Sequence, residues 1–545
     1  MDVKKMILAV LLSIGVWFVW MKFFAPAPTP TVQETKESAT QKQTVEKQAK
    51  DTLSEIKVVN QNANNETLID TVTDKYSVTL SNRGGVIKSF KYKGRNVELV
   101  VPKNKFKAKG VFDFSVYFSK EEFMHENPLD NVIWDHRKIS ENVIKFSTNL
   151  LLNGKPILLE KIYTFYKEND YFKLDYNIVN YGNKALSFPN GQIIISPGDF
   201  LGPDMDFEST YNKLNPIYYN NGDFNKVEKG GGFFSKGESF KTESGDIKWA
   251  GLMSRYFLLI MLPENFSGTG IICDTREHTG YRPGIYVNAK NLEPGGKLSK
   301  SFKIYAGEKE KDKLAAVDIS LKDAADVSKW IEPIRDFLLW CLMKINLLFG
   351  NFGWSLVVFS ILSKIVLLPL TIKSTDSMKK MQALSPKMAE LKEKYKGKPE
   401  LLNKEMMKMY KVNKVNPMGG CLPLILQMPF FFALWSALIN SIDLWQAPFI
   451  FWIKDLSMPD TVAQVFGYNL NILPILMTAT SFIQQKMMPS AGSGQQQKMM
   501  MLMPLVFIVI FWNMPSGLVL YWTLQNTMQI LHQLYSNRKP VQQTQ

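Results

Sequence analysis

The chain has 545 residues, enough for more than one domain, and 65 Lys and Arg against 50 Asp and Glu give it a net charge of +15. Its three cysteines lie far apart and are odd in number, so they imply no disulfide framework or metal site, and its four histidines argue against a histidine-based metal centre or catalytic triad. A basic excess of this size suits nucleic acid or a membrane surface, and apolar runs at residues 6–21 and after residue 353 favour the membrane.

The N-terminal region carries a membrane-targeting pattern. Two lysines precede sixteen uncharged residues, Met6 to Met21. A cleaved signal peptide and an uncleaved anchor both fit, and the length of the apolar run favours an anchor at 1–24 with its start in the cytoplasm. Residues 25–66 are rich in Pro, Thr, Gln, Lys and Glu, so we predict a disordered tether.

Short strand patterns separated by turn signals fill residues 67–325. Apolar residues alternate with polar ones from Tyr76 to Leu80, and two β-rich runs, 162–166 and 171–179, are joined by a hairpin signal. This spacing predicts an all-β sandwich, which the anchor would place in the periplasm. Its histidines stand in no acid–base motif, so the pattern indicates no catalysis.

An amphipathic helix is predicted within residues 326–350. Apolar residues recur at helical spacing from Trp330 to Leu348, with charged residues on the other side. Such a helix either lies in the membrane interface or packs on the sandwich, and the sequence leaves both open.

The remaining chain, 351–536, is predicted to form a bundle of five membrane-spanning helices. Together with the N-terminal anchor, the predicted number of spans is six. The spans are predicted at about 353–372, 420–440, 470–486, 499–513 and 516–533. The 373–419 loop holds twelve lysines and five acidic residues. Positively charged loops stay inside, so this loop, the 487–498 loop and the tail at 537–545 are predicted to share the cytoplasm with the N-terminus.

The loop between the first two of these spans is predicted to form a helical hairpin over residues 373–417. Met381, Leu384, Met388, Leu391 and Tyr395 are spaced as on one helical face. Pro399 stands where the second helix should begin.

Polar residues within the spans are the strongest functional signal. Lys364 lies eleven residues into its span, where a charge costs ~2.5–3.5 kcal/mol and normally faces a bundle interior or water. Other polar residues lie at mid-depth or towards the cytoplasm: Ser360, Ser363, Gln427, Thr480, Gln484, Gln525 and Asn526. We predict a water-filled groove that is open to the cytoplasm and closed on the other side. A transporter would spread polar residues through the full depth.

Three motifs in these spans resemble the YidC family of membrane-protein insertases, of the Gram-negative type with a large periplasmic domain. They are KVNPMGGCLPLILQMPF at 414–430, LPILM at 473–477 and MPSGLVLYW at 514–522. The resemblance implies an α-helical transmembrane bundle, a periplasmic β-supersandwich and a cytoplasmic helical hairpin. It also implies a function: an insertase and chaperone that moves nascent membrane proteins from the groove into the lipid bilayer of the inner membrane, alone or with the Sec translocon.

The resemblance assigns further roles. With the N-terminal anchor counted as span one, the substrate helix is expected to slide along spans three (about 420–440) and five (about 499–513). The residues expected to contact it are Met428, Phe432, Met503, Tyr521 and Trp522. The family's groove charge is typically arginine, and the aligned residue here is Lys364, which keeps the charge but not the bidentate fork. The ribosome is expected at the 373–417 hairpin because the tail is short. No cofactor, metal, covalent reaction or direct nucleic-acid function is expected. The alternative is a membrane-anchored periplasmic protein that binds or processes carbohydrate.

Overall fold

The structure is a computed structural model that describes residues 55–59, 65–100, 110–125, 127–203, 214–227, 240–275, 281–325, 331–413, 415, 422–466, 468–487 and 494–538. The predicted anchor at 1–24, most of the tether and the tail beyond Arg538 lie outside these residues.

The part before residue 326 is built from β-strands. They are β1 (Ile56–Val58), β2 (Leu68–Val72), β3 (Tyr76–Ser81), β4 (Val86–Tyr92), β5 (Val97–Glu98), β6 (Val116–Tyr117), β7 (Asp135–Ser140), β8 (Val143–Leu152), β9 (Lys155–Phe165), β10 (Tyr171–Asn180), β11 (Gln192–Ile195), β12 (Asn215–Asn220), β13 (Asp223–Lys226), β14 (Phe240–Met253), β15 (Phe257–Pro263), β16 (Gly268–Asp274), β17 (Arg282–Asn288) and β18 (Lys297–Glu308). In the described part of this region, two short helices accompany them, α1 (Lys120–Phe123) and α2 (Lys311–Val317).

These strands form two antiparallel sheets that share one apolar core. The larger sheet has fourteen strands and the smaller one has four, β2 to β5. Side chains from both sheets meet in the core: the rings of Phe90 on β4 and Phe172 on β10 lie 6.0 Å apart. Burial alternates along β8 and β10, as expected for strands with one covered face. The predicted β-sandwich is confirmed.

The predicted hairpin within this domain is also confirmed, because β9 and β10 pair with Phe165 opposite Phe172. The predicted tether is wrong at its end. Ile56–Val58, assigned to it from composition, pairs with β8 and so extends the large sheet at its edge. Ile56 and Val58 pack against the core, which offsets the cost of ordering this otherwise polar segment.

The part after residue 330 is helical. Its helices are α3 (Glu332–Phe349), α4 (Phe352–Ala383), α5 (Ser385–Lys394), α6 (Pro399–Val412), α7 (Leu422–Asn440), α8 (Ile472–Met487), α9 (Gly494–Phe511) and α10 (Ser516–Arg538). A hairpin of two strands, β19 (Thr461–Val465) and β20 (Tyr468–Asn471), precedes α8. Within the described ranges, α4 is the helix whose length and composition both suit a membrane crossing.

Helix α3 packs on the helical bundle, a placement that neither sequence alternative named. Its buried residues Leu338 and Leu342 share a cluster with residues of α4 and α7. The predicted apolar stripe does not act as one face, because Phe337 and Leu348 are exposed while Leu338 is buried. The described part of α3 therefore has one apolar side on the bundle and another that faces outwards.

Helix α4 is longer than the predicted span. It continues through Lys373 to Ala383, so the predicted span and the first part of the predicted hairpin belong to one continuous helix. Pro369 does not end it, because a proline removes one hydrogen bond and membrane helices tolerate this loss. Helix α6 starts at Pro399 as predicted and packs on α5, where the Tyr410 hydroxyl lies 2.8 Å from the Met388 sulfur.

The β-rich domain contacts the helical bundle at the C-terminal end of α7. Arg255, in the turn between β14 and β15, donates hydrogen bonds to the main-chain oxygens of Leu438, Ile439 and Ser457. Nearby, the Arg95 guanidinium lies 2.6 Å from a carboxylate oxygen of Asp443.

Candidate functional site

One face of α10 gathers most of the polar side chains inside the bundle. Tyr521, Gln525, Asn526 and Gln529 are separated by four, one and three residues, which places them on neighbouring turns of the same side of the helix. This face meets α4 and α8, because each of the last three residues hydrogen-bonds to one of those helices. The site is therefore organised around α10.

The charged residue of the site is Lys364 on α4. Its Nζ donates a hydrogen bond of 2.7 Å to Oε1 of Gln529 on α10. In the part of the chain that the structure describes, no carboxylate oxygen lies within 4.0 Å of this ammonium group. The lysine side chain is half-buried, and the hydrogen-bond acceptor of its ammonium group is a neutral amide rather than a carboxylate.

Ser360, one turn before Lys364, and Ser363, directly before it, connect α4 to α10. Nε2 of Gln525 donates to the main-chain oxygen of Ser360 and to Oγ of Ser363, each over 3.1 Å. The Ser360 hydroxyl donates to the Leu356 carbonyl oxygen over 2.6 Å and is fully buried. These bonds fix the rotation of α4 against α10, so that Lys364 and Gln529 face each other.

A second set of contacts joins α10 to α8. Nδ2 of Asn526 donates to Oγ of Ser481 over 2.7 Å and lies 3.4 Å from Oγ1 of Thr480. Asn526 and Ser481 are both buried. An amide buried in an apolar bundle is costly unless it is paired, so this pairing favours one rotation of α8 against α10.

Two further predicted groove residues lie on α7 and α8. Gln427 on α7 and Ser363 are polar neighbours of the Tyr521 hydroxyl. Gln484 on α8 is half-buried. Tyr521 was predicted on the substrate slide, and its side chain is 1% exposed. It belongs with the polar residues of the bundle interior.

The other slide residues lie on or beside an aromatic cluster. Trp522 contacts the rings of Phe431, Phe507 and Phe511 at 5.2, 6.2 and 5.7 Å between centroids. Phe432 packs against Phe431 at 5.5 Å, and Met428 is half-buried on the same helix. Met503 on α9 is 47% exposed. Apart from Tyr521, the predicted residues thus follow α7, α9 and α10 around one apolar region.

Polar atoms continue towards the C-terminal end of α10. Among the described residues, buried side-chain atoms of Gln485, His532 and Gln533 have no hydrogen-bond partner. Because such atoms cost about 1–3 kcal/mol each when left unpaired, this region suits water or a polar chain segment. Lys364 and Lys379 of α4 both bond to this part of α10, at Gln529 and Ser536.

Sequence reasoning missed Gln529 and left Ser481 out of the predicted site. Gln529 lies one turn beyond the Gln525–Thr527 run, and its spacing of four from Gln525 was an available signal. The depth of Gln529 within its predicted span did not identify it, because its pairing with Lys364 depends on how α10 is rotated against α4.

A carbohydrate-processing site in the β-rich domain would need a histidine and a carboxylate that face each other. Asp135 and His136 border a surface depression of about 400 Å³. They are consecutive residues of β7, and successive side chains of a strand point to opposite faces, so they form no acid–base pair.

Comparison with known proteins finds matches along nearly the whole chain. Residues 68–341 match a family described as "YidC periplasmic domain", and residues 344–543 match one described as "60Kd inner membrane protein". The membrane protein insertase YidC of Leptospira interrogans (serovar Lai) is 31% identical over 612 aligned positions, covering 98% of this chain and 97% of the relative.

Two further matches are a relative and a solved structure. The membrane protein insertase YidC of Pelobacter propionicus is 38% identical and covers 71% of this chain and 70% of its own. A crystal structure described as active YidC insertase with the first transmembrane domain resolved covers 97% of this chain and 99% of its own, at 17% identity and a TM-score of 0.37.

Proposed function

Because the matched families and relatives cover nearly all of it, the chain belongs to the YidC family of membrane protein insertases, and we propose that it moves nascent membrane proteins from a polar groove around Lys364 into the bilayer. Members of this family are inner-membrane proteins with a β-rich periplasmic domain. The proposal for this chain concerns which residues receive the substrate and how it leaves.

One observation carries the proposal. The hydrogen-bond acceptor of Lys364 is the neutral amide of Gln529, at 2.7 Å, and none of the carboxylates in the described ranges is in contact with its ammonium group. A cation held this way, in surroundings less polar than water, attracts an acidic segment more strongly than a surface lysine does. The hydrophilic part of a nascent chain would therefore enter beside Lys364.

The neighbouring side chains suit the uncharged parts of such a segment. Ser363, Thr480 and Gln484 offer hydroxyl and amide groups that can replace water around the main-chain groups of the substrate. The slide proposed for the apolar helix runs along α7 and α9, past Phe432 and Met503. Met503 is well exposed, and its flexible thioether adapts to side chains of many shapes.

The short helices favour passage of this polar segment. Helix α8 has 16 residues and α9 has 18. At 1.5 Å per residue they measure about 24 and 27 Å, less than the ~30 Å hydrocarbon core. The bilayer thins around spans that are too short, and a thinner bilayer lowers the barrier for polar groups.

The topology and partners belong to the same proposal. Six spans with both termini in the cytoplasm place α5 and α6 on the ribosome side, where their lysines suit a polyanionic partner. We propose the Sec translocon as an optional partner. No covalent step or cofactor is needed, because transfer of the apolar helix into lipid supplies the free energy.

The proposal is tested by depleting the chain in cells that contain no relative, then following short one- and two-span substrates by protease protection. Depletion should leave the translocated tails inaccessible to protease added outside spheroplasts, and re-expression should restore their cleavage. Unchanged cleavage after depletion would exclude the insertase function.

A further inference from the structure

Gln529 occupies the acceptor position nearest to the groove charge, and no motif pointed to it. Its Oε1 accepts a hydrogen bond of 2.7 Å from Nζ of Lys364. The two residues are 165 positions apart, so the contact depends on the packing of α4 against α10. Gln525, one turn earlier, fixes that packing through Ser360 and Ser363.

We propose that Gln529 competes with the substrate for the ammonium group of Lys364. It thereby sets a threshold, which is how strongly a substrate acceptor must bind this group to enter the groove. A substrate acceptor reaches the ammonium group only by displacing the Gln529 amide. A neutral hydroxyl or amide exchanges one neutral acceptor for another and gains little. A carboxylate replaces a neutral acceptor with an ion pair, which is the stronger interaction. This inference rests on the proposed function of Lys364 and adds a second residue to it.

The proposal separates two roles that act at one site. Lys364 makes the difference between acidic and neutral substrates, because only the cation distinguishes their charges. Gln529 weakens the binding of both classes by the same factor, because both must displace the same amide. A change at Gln529 should therefore move both insertion rates together and leave their ratio unchanged.

Two substitutions move the threshold in opposite directions. Gln529→Leu keeps the size of the side chain but removes the acceptor, so acidic and neutral substrates should both insert about tenfold faster in the initial phase. Gln529→Glu gives Lys364 an internal carboxylate. The initial rate of the acidic substrate should then fall to about the wild-type rate of the neutral one.

The experiment uses the full chain in proteoliposomes, with two one-span substrates that differ only by Asp→Asn changes in the translocated tail. Initial insertion rates are measured by protease protection. Thr527→Leu is the matched control, because Thr527 lies on α10, is exposed and bonds its own helix at Thr523. This variant should insert both substrates at wild-type rates.

A double-mutant cycle makes the proposal specific to the pair. In a Lys364→Gln background, Gln529→Leu should change neither rate, since the cation for which Gln529 competes is gone. Equal acceleration by Gln529→Leu with and without Lys364 would overturn the inference, and so would wild-type rates in both Gln529 variants.

The cycle also distinguishes the two levels of the account. If Lys364→Gln removes the advantage of the acidic substrate but the Gln529 variants behave like wild type, this inference fails and the proposed function stands. If Lys364→Gln has no effect on either substrate, the electrostatic role of the groove fails first. Thermal melting of each purified variant checks that it is folded.

Discussion

The guanidinium group of Arg255 donates a hydrogen bond of 3.1 Å to the main-chain oxygen of Leu438, which joins the β-rich domain to the last turn of α7. The same side chain reaches the Ile439 and Ser457 oxygens at 3.0 and 2.9 Å. The last four carbonyl groups of a helix have no partner within the helix, and a cation there also balances the helix dipole. Arg255 thus caps α7, the helix that carries Phe432.

The first prediction concerns this cap. Arg255→Ala should lower the free energy of unfolding by about 2–4 kcal/mol, because the Ile439 and Ser457 carbonyl oxygens lose their side-chain donor. The Leu438 oxygen keeps the Tyr256 hydroxyl as a donor. The measurement is the apparent melting temperature of the purified protein in detergent. Arg83→Ala is the control: Arg83 is more exposed and its nearest carboxylate oxygen is 3.9 Å away, so it should have little effect. Equal melting temperatures for Arg255→Ala and wild type would contradict the capping role.

The second prediction concerns pH and Asp318, which precedes the last segment of the β-rich domain. Although burial disfavours its charge, the Lys248 ammonium at 2.7 Å and Ser320 hold the pKa of Asp318 below its ordinary value. A carboxylate with a depressed folded-state pKa stabilises the fold above its unfolded-state pKa, and that stabilisation is lost as the pH falls through the folded-state value.

Asp318→Asn should therefore lower stability by about 1 kcal/mol at pH 7, a modest effect because the pair is partly exposed. The difference from wild type should shrink as the pH falls below the ordinary pKa of aspartate and disappear below the lowered pKa of folded Asp318. Melting curves of both proteins at pH 7 and at successively lower pH values measure it. A constant difference over this range would show that the charge of Asp318 does not contribute.

The third prediction concerns the substrate slide. A photo-crosslinking residue at Met503 should capture the apolar helix of a one-span substrate during insertion, because Met503 is exposed beside the aromatic cluster. The same residue at Ile365 of α4, which is 58% exposed, is the control and should capture mainly lipid. Equal capture of the substrate helix at both positions would mean that crosslinking depends on the exposure of the position and not on a substrate path along α9.

The fourth prediction concerns the bond between α8 and α10. Asn526→Leu should lower the melting temperature and slow acidic and neutral substrates alike, because Ser481 loses its partner and α8 loses its fixed rotation. Asn526→Gln, which keeps an amide donor for the Ser481 oxygen, should lower the melting temperature less. Wild-type melting of Asn526→Leu would show that the hydrogen bond does not hold the two helices.

The sequence was sufficient for those parts of the fold that follow local patterns. The β9–β10 hairpin follows from alternation and turn residues, and the start of α6 follows from Pro399. Lys364 and its polar neighbours were identified because charged and amide groups are rare within apolar spans.

Features that depend on packing between distant segments could not be predicted. Strand β1 is stabilised by its pairing with β8, which composition does not reveal. Gln529 meets Lys364 through the rotation of α10 against α4, and Tyr521 turns inwards for the same reason. The Arg255 cap joins residues 183 positions apart. In each case the partner, and not the local sequence, decides the role.

The most direct test of the account is the initial insertion rate of an acidic-tailed one-span substrate by reconstituted Lys364 variants. Lys364→Arg should insert it at the wild-type rate because the charge is kept. Lys364→Gln should slow it about tenfold, to the rate of the Asp→Asn substrate, and Lys364→Glu should slow it further by repulsion. Lys373→Gln, which removes an exposed lysine of the same helix, should have no effect. Equal rates for Lys364→Glu and wild type, with both proteins folded, would contradict the proposed role of the groove.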